Sequence, residues 1–338
     1  MGWYESVGRR AFFAVEPERS HRLAQRLLGL PLPWRRIGGA VDDPALTTTL
    51  SGIPLRNPIG LAAGFDKTCR HLDALGKLGF GYVVGGTVTL APRRGNPAPR
   101  IARDPAAMSL TNAMGLPNPG ARVAAANLAR RPAACPRLVS VADEGIPDVL
   151  EALGAMEPLV DGLEVNASCP NVSWGRDADD EDHLRQLVTA IRSATSKPVF
   201  VKLPPFSTDA ERSAIVALAD VALGAGANGL TASNTRPVAD GRLAVGKGGV
   251  SGRALWDRTT TIVAELRGAI GPAVALNACG GVFSASDVVA CLEAGATTVQ
   301  VYTALIYEGP GLPGVLTRGL LRDLSARHQM LADLGRTG

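Results

Sequence analysis

Few of the side chains that most readily reveal a function are present. Aromatic residues are only 4% of the 338, which argues against a single-stranded nucleic-acid groove built on stacked bases. Cysteines stand at 69, 135, 169, 279 and 291. Their odd number and open spacing give neither a zinc pattern nor a disulfide framework, so no metal centre and a reducing, cytoplasmic compartment are expected. The start of the chain lacks a continuous apolar stretch ahead of a small-residue cleavage site, so no signal peptide is expected. A notable uncharged run lies between Arg267 and Asp287, but Pro272, Asn277, Gly280 and Gly281 interrupt it. That pattern suits a buried strand and its loop better than a membrane span.

Hydrophobic residues, by contrast, reach 46% and charged residues only 20%, enough apolar surface for a large core and too much for a disordered chain. A single alpha/beta barrel uses roughly 250 residues, so the length suits one barrel with an appendage. The net charge of +4 is too mild for a nucleic-acid footprint, and it is unevenly placed. Residues 1–36 hold seven arginines against three acids, and the remainder is neutral. This basic start carries Trp3, Phe12, Phe13, Leu23 and Leu27. It suits either a helix lying on an anionic membrane surface or a solvated helix packed on the barrel.

From about residue 57 short apolar runs alternate with longer amphipathic ones. Strands are expected at 59–62, 82–84, 138–141, 163–165, 199–202, 229–231, 273–276 and 298–301. Helices are expected over 182–196, 209–224, 255–269 and 285–293, with Asp182, Asp209 and Ser284 as starts. Eight buried strands alternating with helices predict a closed parallel (β/α)8 TIM barrel. An open doubly wound sheet is the rival, weakened because no Gly-x-Gly-x-x-Gly follows the first strand. Residues 1–30 read as two short helices joined near Pro17, and Pro31 and Pro33 break the chain. The expected division is a helical extension and linker over 1–44 and a barrel over 45–338.

Catalytic groups of such barrels sit at the carboxyl ends of strands. Here those ends carry Asn166, Lys202 and Asn234, with Lys67, Asn112 and Asn171 in adjoining loops. Each carboxamide both donates and accepts hydrogen bonds. Several together suit a flat ring with alternating carbonyl and N–H edges, such as a pyrimidinedione or an isoalloxazine. Gly280-Gly281 after the seventh strand and Tyr302-Thr303 after the eighth occupy the usual barrel phosphate position, and Gly249 to Gly252 add backbone donors.

These segments together resemble the dihydroorotate dehydrogenases, FMN-dependent barrel enzymes, over nearly the full length. The resemblance is carried by Asn57-Pro58-Ile59-Gly60 through Lys67, Gly95-Asn96-Pro97-Ala98-Pro99-Arg100 and Asn166-Ala167-Ser168-Cys169-Pro170-Asn171. Lys202, Asn234-Thr235, Gly248-Gly249-Val250-Ser251-Gly252 and Tyr302-Thr303-Ala304-Leu305 complete it. Glu16-Pro17-Glu18-Arg19-Ser20-His21 is similar to the membrane-associated, quinone-linked class. The base position is cysteine, and residues 112–118, 168–172 and 201–206 resemble the soluble class.

The resemblance implies oxidation of dihydroorotate to orotate, with Cys169 as base and hydride passing to flavin N5. Lys202 would stabilise the reduced flavin. Lys67, Asn112, Met114, Gly115, Leu116, Asn166, Asn171, Asn234 and Thr235 would bind substrate. FMN would contact Ala62, Ala63, Thr87, Asn112, Asn166 and Lys202 around its ring, and Ser251, Gly252, Gly280, Gly281, Tyr302 and Thr303 towards its phosphate. His21 and Arg103 match polar quinone contacts, so a quinone is the expected acceptor and a peripheral membrane position through residues 1–30 follows. Two alternatives are a flavin oxidoreductase acting on another cyclic or amide substrate and a non-redox phosphate-binding barrel.

Overall fold

A computed structural model describes residues 4–167 and 178–335. The eight expected strands all form: β1 (Ile59–Leu61), β2 (Tyr82–Val88), β3 (Arg137–Val141), β4 (Gly162–Asn166), β5 (Val199–Leu203), β6 (Gly229–Ala232), β7 (Ala275–Cys279) and β8 (Thr298–Val301). Each pairs in parallel with its sequence neighbours, and Val299 of β8 lies opposite Ile59 of β1. The sheet is therefore a closed barrel, and the open doubly wound alternative is excluded. β7 begins two residues later than expected. Arg267 donates to the carbonyl of Val274 at 2.9 Å, holding that stretch in the preceding loop.

Helix starts follow local hydrogen bonding. Before the helix Asp209–Gly224, Thr208 Oγ1 accepts from the N–H of Glu211 (3.2 Å) and the Glu211 carboxylate accepts from that of Thr208 (3.1 Å). Ser284 and Asp287 make the same reciprocal cap for Ala285–Glu293. Such a box satisfies two backbone donors that the helix leaves open. Asp182 is not a cap: its helix already starts in Ala178–Ala194, and its carboxylate meets Arg185 one turn on, at 3.6 Å.

The amino-terminal end of the barrel is shut by a hairpin, Thr48–Leu50 with Ile53–Leu55. Leu50, Ile53 and Leu55 pack beneath Tyr82, Val84, Leu138 and Phe200 in an apolar floor. Truncating an aromatic there would cost about 3–5 kcal/mol. At the opposite end stands a four-stranded antiparallel sheet in the order Arg236–Ala239, Lys247–Gly252, Ser109–Asn112, Ile101–Asp104. The sequence pattern gave no sign of it, because its strands are short, and Arg236–Ala239 and Lys247–Gly252 are half-exposed and carry proline or glycine.

The extension is helical and firmly docked. A π-helical turn Tyr4–Gly8 leads into α1 (Arg9–Phe13), and α2 (Pro17–Leu28) follows. Glu16 caps α2 by accepting from the N–H groups of Glu18 and Arg19 at 3.0 and 2.9 Å. Tyr4 donates to the carbonyl of Ile306, and Phe13 meets Tyr307 edge-on at 5.1 Å. The stretch expected to be plain linker contains α3 (Trp34–Gly38). It forms because Trp34 is buried and donates to the carbonyl of Leu30. Among the described residues no helix is long and apolar enough to cross a membrane.

Candidate active site

A cavity of about 1710 Å³ opens at the carboxyl end of the barrel and runs on beneath α1 and α2. Every described residue expected to bind substrate, cofactor or quinone lines it. Cys169 and Asn171 lie outside the described residues.

The barrel mouth is floored by linked amides and hydroxyls. Asn166, at the end of β4, donates to Thr87 Oγ1 (3.2 Å) and accepts from Asn234 (3.4 Å), while Thr87 and Ser140 share a hydrogen bond of 3.0 Å. Asn234 also accepts from the N–H of Thr235, at 2.8 Å. Ala62 and Ala63, just past β1, keep one side of this floor low. Asn112 reaches in from the antiparallel sheet, where it donates to the carbonyl of Gly249 at 3.4 Å. The following turn through Met114, Gly115 and Leu116 is held by Asn96, whose amide donates to Ala113 and whose N–H donates to Met114. Asn96 was not singled out from sequence; its place inside a shared motif was the available signal.

Lys202 is buried at the end of β5, with its side chain on the cavity. Among the described residues it makes no ion pair within 4.0 Å. Burial opposes its charge, but the Glu164 carboxylate and the Cys279 thiol outweigh that and raise its pKa. Glu164 was also missed by sequence reasoning. The signal was a lone acid between Leu163 and Val165 of a buried strand.

The strand seven and eight side is shaped by close backbone approach. Gly281 has φ +67°, and a Cβ there would lie 2.7 Å from the backbone nitrogen of Trp256. Gly280 adjoins it, and Gly252 with φ +88° sits where a Cβ would meet the carbonyl of Met108 at 2.4 Å. Ser251 and Thr303 join through their hydroxyls at 2.9 Å, beside Tyr302. This rim offers glycine backbone and hydroxyl donors, chemistry suited to a phosphate.

Lys67 stands on a turn built by Asp66, whose carboxylate accepts from Thr68 and from the N–H of His71. Its ammonium donates to the carbonyl of Gly64. Burial and the nearby Arg100 guanidinium lower its pKa to about 8, against the opposing pull of Asp66 and Glu18. On the extension side, His21 meets Phe65 edge-on at 5.3 Å, and Phe65 meets Tyr302 at 5.7 Å. Burial, with the charge of Lys67, lowers the His21 pKa to about 4, so its imidazole is neutral at pH 7. Among the described residues Arg103 makes no ion pair. It donates to the carbonyls of Phe12, Phe13 and Val15 and lies 4.6 Å over the Phe13 ring.

The chain matches the family model described as Dihydroorotate dehydrogenase over residues 45–324. It is 36% identical to a dihydroorotate dehydrogenase (quinone) of Rhodococcus opacus, covering 96% of each chain. The enzyme of the same name from Brucella ovis is also 36% identical, over 94% of this chain and 91% of that one. Among solved structures, the dihydroorotate dehydrogenase of Eimeria tenella in complex with ferulenol superposes with a TM-score of 0.82 at 30% identity, covering 94% of both chains. Fold and relatives agree: the chain is an oxidoreductase of the dihydroorotate dehydrogenase family.

Proposed function

We propose that the protein oxidises dihydroorotate to orotate with FMN as its cofactor and passes the electrons to a quinone. The observation that carries this reading is the single cavity that joins the asparagine-lined barrel mouth to the underside of α2. FMN fits the residues present: a buried lysine at the floor that has no close counter-ion among the described residues, and a glycine and hydroxyl rim at strands seven and eight. When bound, FMN supplies a two-electron acceptor whose N5 takes a hydride and whose electrons can then leave for a second acceptor.

The chain's own groups supply the rest. Asn112, Asn166, Asn171 and Asn234 present paired donors and acceptors to the edges of the pyrimidine ring, and Lys67 pairs with its carboxylate. Cys169 removes a proton from one ring carbon as hydride leaves the neighbouring one. A thiol can serve as a base because the ordinary cysteine pKa is about 8.5, far below that of a hydroxyl. Lys202 would hold the flavin ring and supply a positive charge beside it. Ser251, Gly252, Gly280, Gly281 and Thr303 hold the phosphate, and Ala62 and Ala63 leave room for the ring.

On the acceptor side, neutral His21 offers a hydrogen bond to a quinone carbonyl, and Arg103 keeps donors beyond those spent on α1. Leu23, Leu27, Leu30 and Leu32 are exposed on the extension, among Arg22 and Arg26, and Leu27 and Leu32 also border the cavity. That surface suits contact with anionic lipid and entry of a lipophilic tail. Anaerobic addition of dihydroorotate should bleach the bound flavin with stoichiometric orotate. Protein that stays yellow would overturn the reading.

A further inference from the structure

Beneath Lys202 the barrel interior is polar, and its hydrogen bonds run one way. Thr298 donates to Asn277 Oδ1 at 2.6 Å, so its oxygen is left to accept from Tyr82 at 2.7 Å. The Asn277 amide donates to Thr231 Oγ1 at 3.2 Å, and Thr231 donates to Glu164 Oε2 at 3.1 Å. The chain starts on β2, crosses β8, β7 and β6, and ends on β4, so it spans the lumen. All of its donors lead to one carboxylate. Hydrogen bonds linked in this way polarise one another and favour an acceptor at their end. The other Glu164 oxygen, Oε1, has no hydrogen-bond partner among the described residues although it is buried.

Glu164 and Lys202 make no contact within 4.0 Å, but Thr231, which donates to Glu164, lies opposite Lys202 in the pairing of β5 with β6, and Glu164 lies two residues below Asn166, the β4 partner of Lys202. From that place the carboxylate favours the lysine's charge. A contact ion pair would draw the ammonium down into the barrel and occupy its donors. A carboxylate held one layer lower by Thr231 still attracts it, because the Coulomb term falls only as the inverse of distance. The three N–H groups of Lys202 stay available at the cavity floor.

We infer that Glu164 is a positioning residue for Lys202: anchored by the chain from Tyr82, it holds the ammonium charged and directed at the cavity floor. The inference rests on the flavin reading above. It makes the barrel core part of the redox machinery and explains a buried acid between Leu163 and Val165. Removing one member of a buried charge pair leaves the other uncompensated, whereas removing both does not.

The test uses the FMN-loaded protein. Glu164→Gln keeps the shape and the acceptor for Thr231 but removes the charge. The titratable groups facing Lys202 are Glu164 from β4 and Cys279 from β7, and Cys279 is common to both proteins. Bleaching at saturating dihydroorotate should rise to a plateau with pH in the wild type. In Glu164→Gln a descending limb should appear, falling about tenfold per pH unit beyond the point where Lys202 loses its proton. The midpoint potential of the bound flavin should bend at that same pH in the variant alone, and Glu164→Asp should restore much of the wild-type profile. Separately, the double variant Lys202→Met/Glu164→Leu should unfold at a higher temperature than either single variant. Unchanged pH profiles and potentials in Glu164→Gln, or single effects on unfolding that merely add, would overturn the inference. Failure of dihydroorotate to bleach the wild type would instead overturn the substrate reading, and the potential and unfolding measurements would still decide on Glu164.

Discussion

Glu18 and Arg100 meet in a bidentate ion pair, Nε to Oε1 and Nη2 to Oε2, both at 2.9 Å. The pair ties α2 to the loop that leads into the antiparallel sheet. Arg100 also donates to the carbonyls of Arg94 and Asn96, and Asn96 in turn holds the turn at Met114. One guanidinium therefore links the docking of the extension to the shape of the substrate side. Both partners are largely buried, so the pair is less screened than a surface bridge.

Glu18→Gln should loosen α2 without dismantling the barrel mouth. Charge-assisted hydrogen bonds of this kind contribute about 1.5–3 kcal/mol, so a lower Tm is expected. Turnover with a long-chain quinone should fall severalfold, while bleaching by dihydroorotate stays within about twofold at saturation. Steady-state and stopped-flow rates on the same preparation separate the two effects.

Lys67 should select for an anionic substrate and impose a pH limit. Its pKa near 8 means that the free enzyme loses this ammonium as pH rises through that value. kcat/KM for dihydroorotate should therefore decline above about pH 8, and dihydrouracil, which has no carboxylate, should show no such limb from Lys67. Lys67→Met should weaken dihydroorotate by roughly 10–150-fold, one charge-assisted bond, and spare dihydrouracil. Equal losses for both ligands would contradict the assignment.

Cys169→Ala should slow bleaching by roughly 10²-fold or more, as removal of a general base does. Cys169→Ser should keep part of the rate with an optimum at higher pH, since a hydroxyl is a far weaker acid. Rapid-mixing traces against pH check both, and an alanine variant as fast as wild type would remove Cys169 from the mechanism.

Ser251→Asp should place a negative charge on the glycine and hydroxyl rim, next to Thr303. The expected result is folded protein purified with little FMN, read from its flavin-to-protein absorbance ratio. Normal FMN content would show that the phosphate lies elsewhere. Gly281 is a poorer probe, because any side chain there meets the backbone of Trp256.

Much of this architecture is legible in the chain because barrel strands announce themselves. Val199–Leu203 and Thr298–Val301 are short apolar runs bounded by turn residues, and the helix Asp209–Gly224 has an amphipathic period and a cap. The asparagines and Lys202 stand out because polar groups at strand ends have no packing reason to be there. What is hidden depends on long-range partners. The strand Lys247–Gly252 exists because it pairs with Ser109–Asn112, far away in sequence. α3 is stabilised by the burial of Trp34, and the importance of Glu164 emerges only once Thr231, Asn277 and Lys202 converge on the barrel axis.

The most direct test of the account is the fate of the electrons. Enzyme bleached anaerobically with dihydroorotate is mixed with a long-chain quinone or with fumarate, and the return of the yellow flavin absorbance is followed. Rapid recolouring by the quinone, little by fumarate, and loss of the quinone reaction, with bleaching intact, when residues 2–30 are deleted are the expected results. Faster recolouring by fumarate, or undiminished quinone reaction after the deletion, would contradict the account.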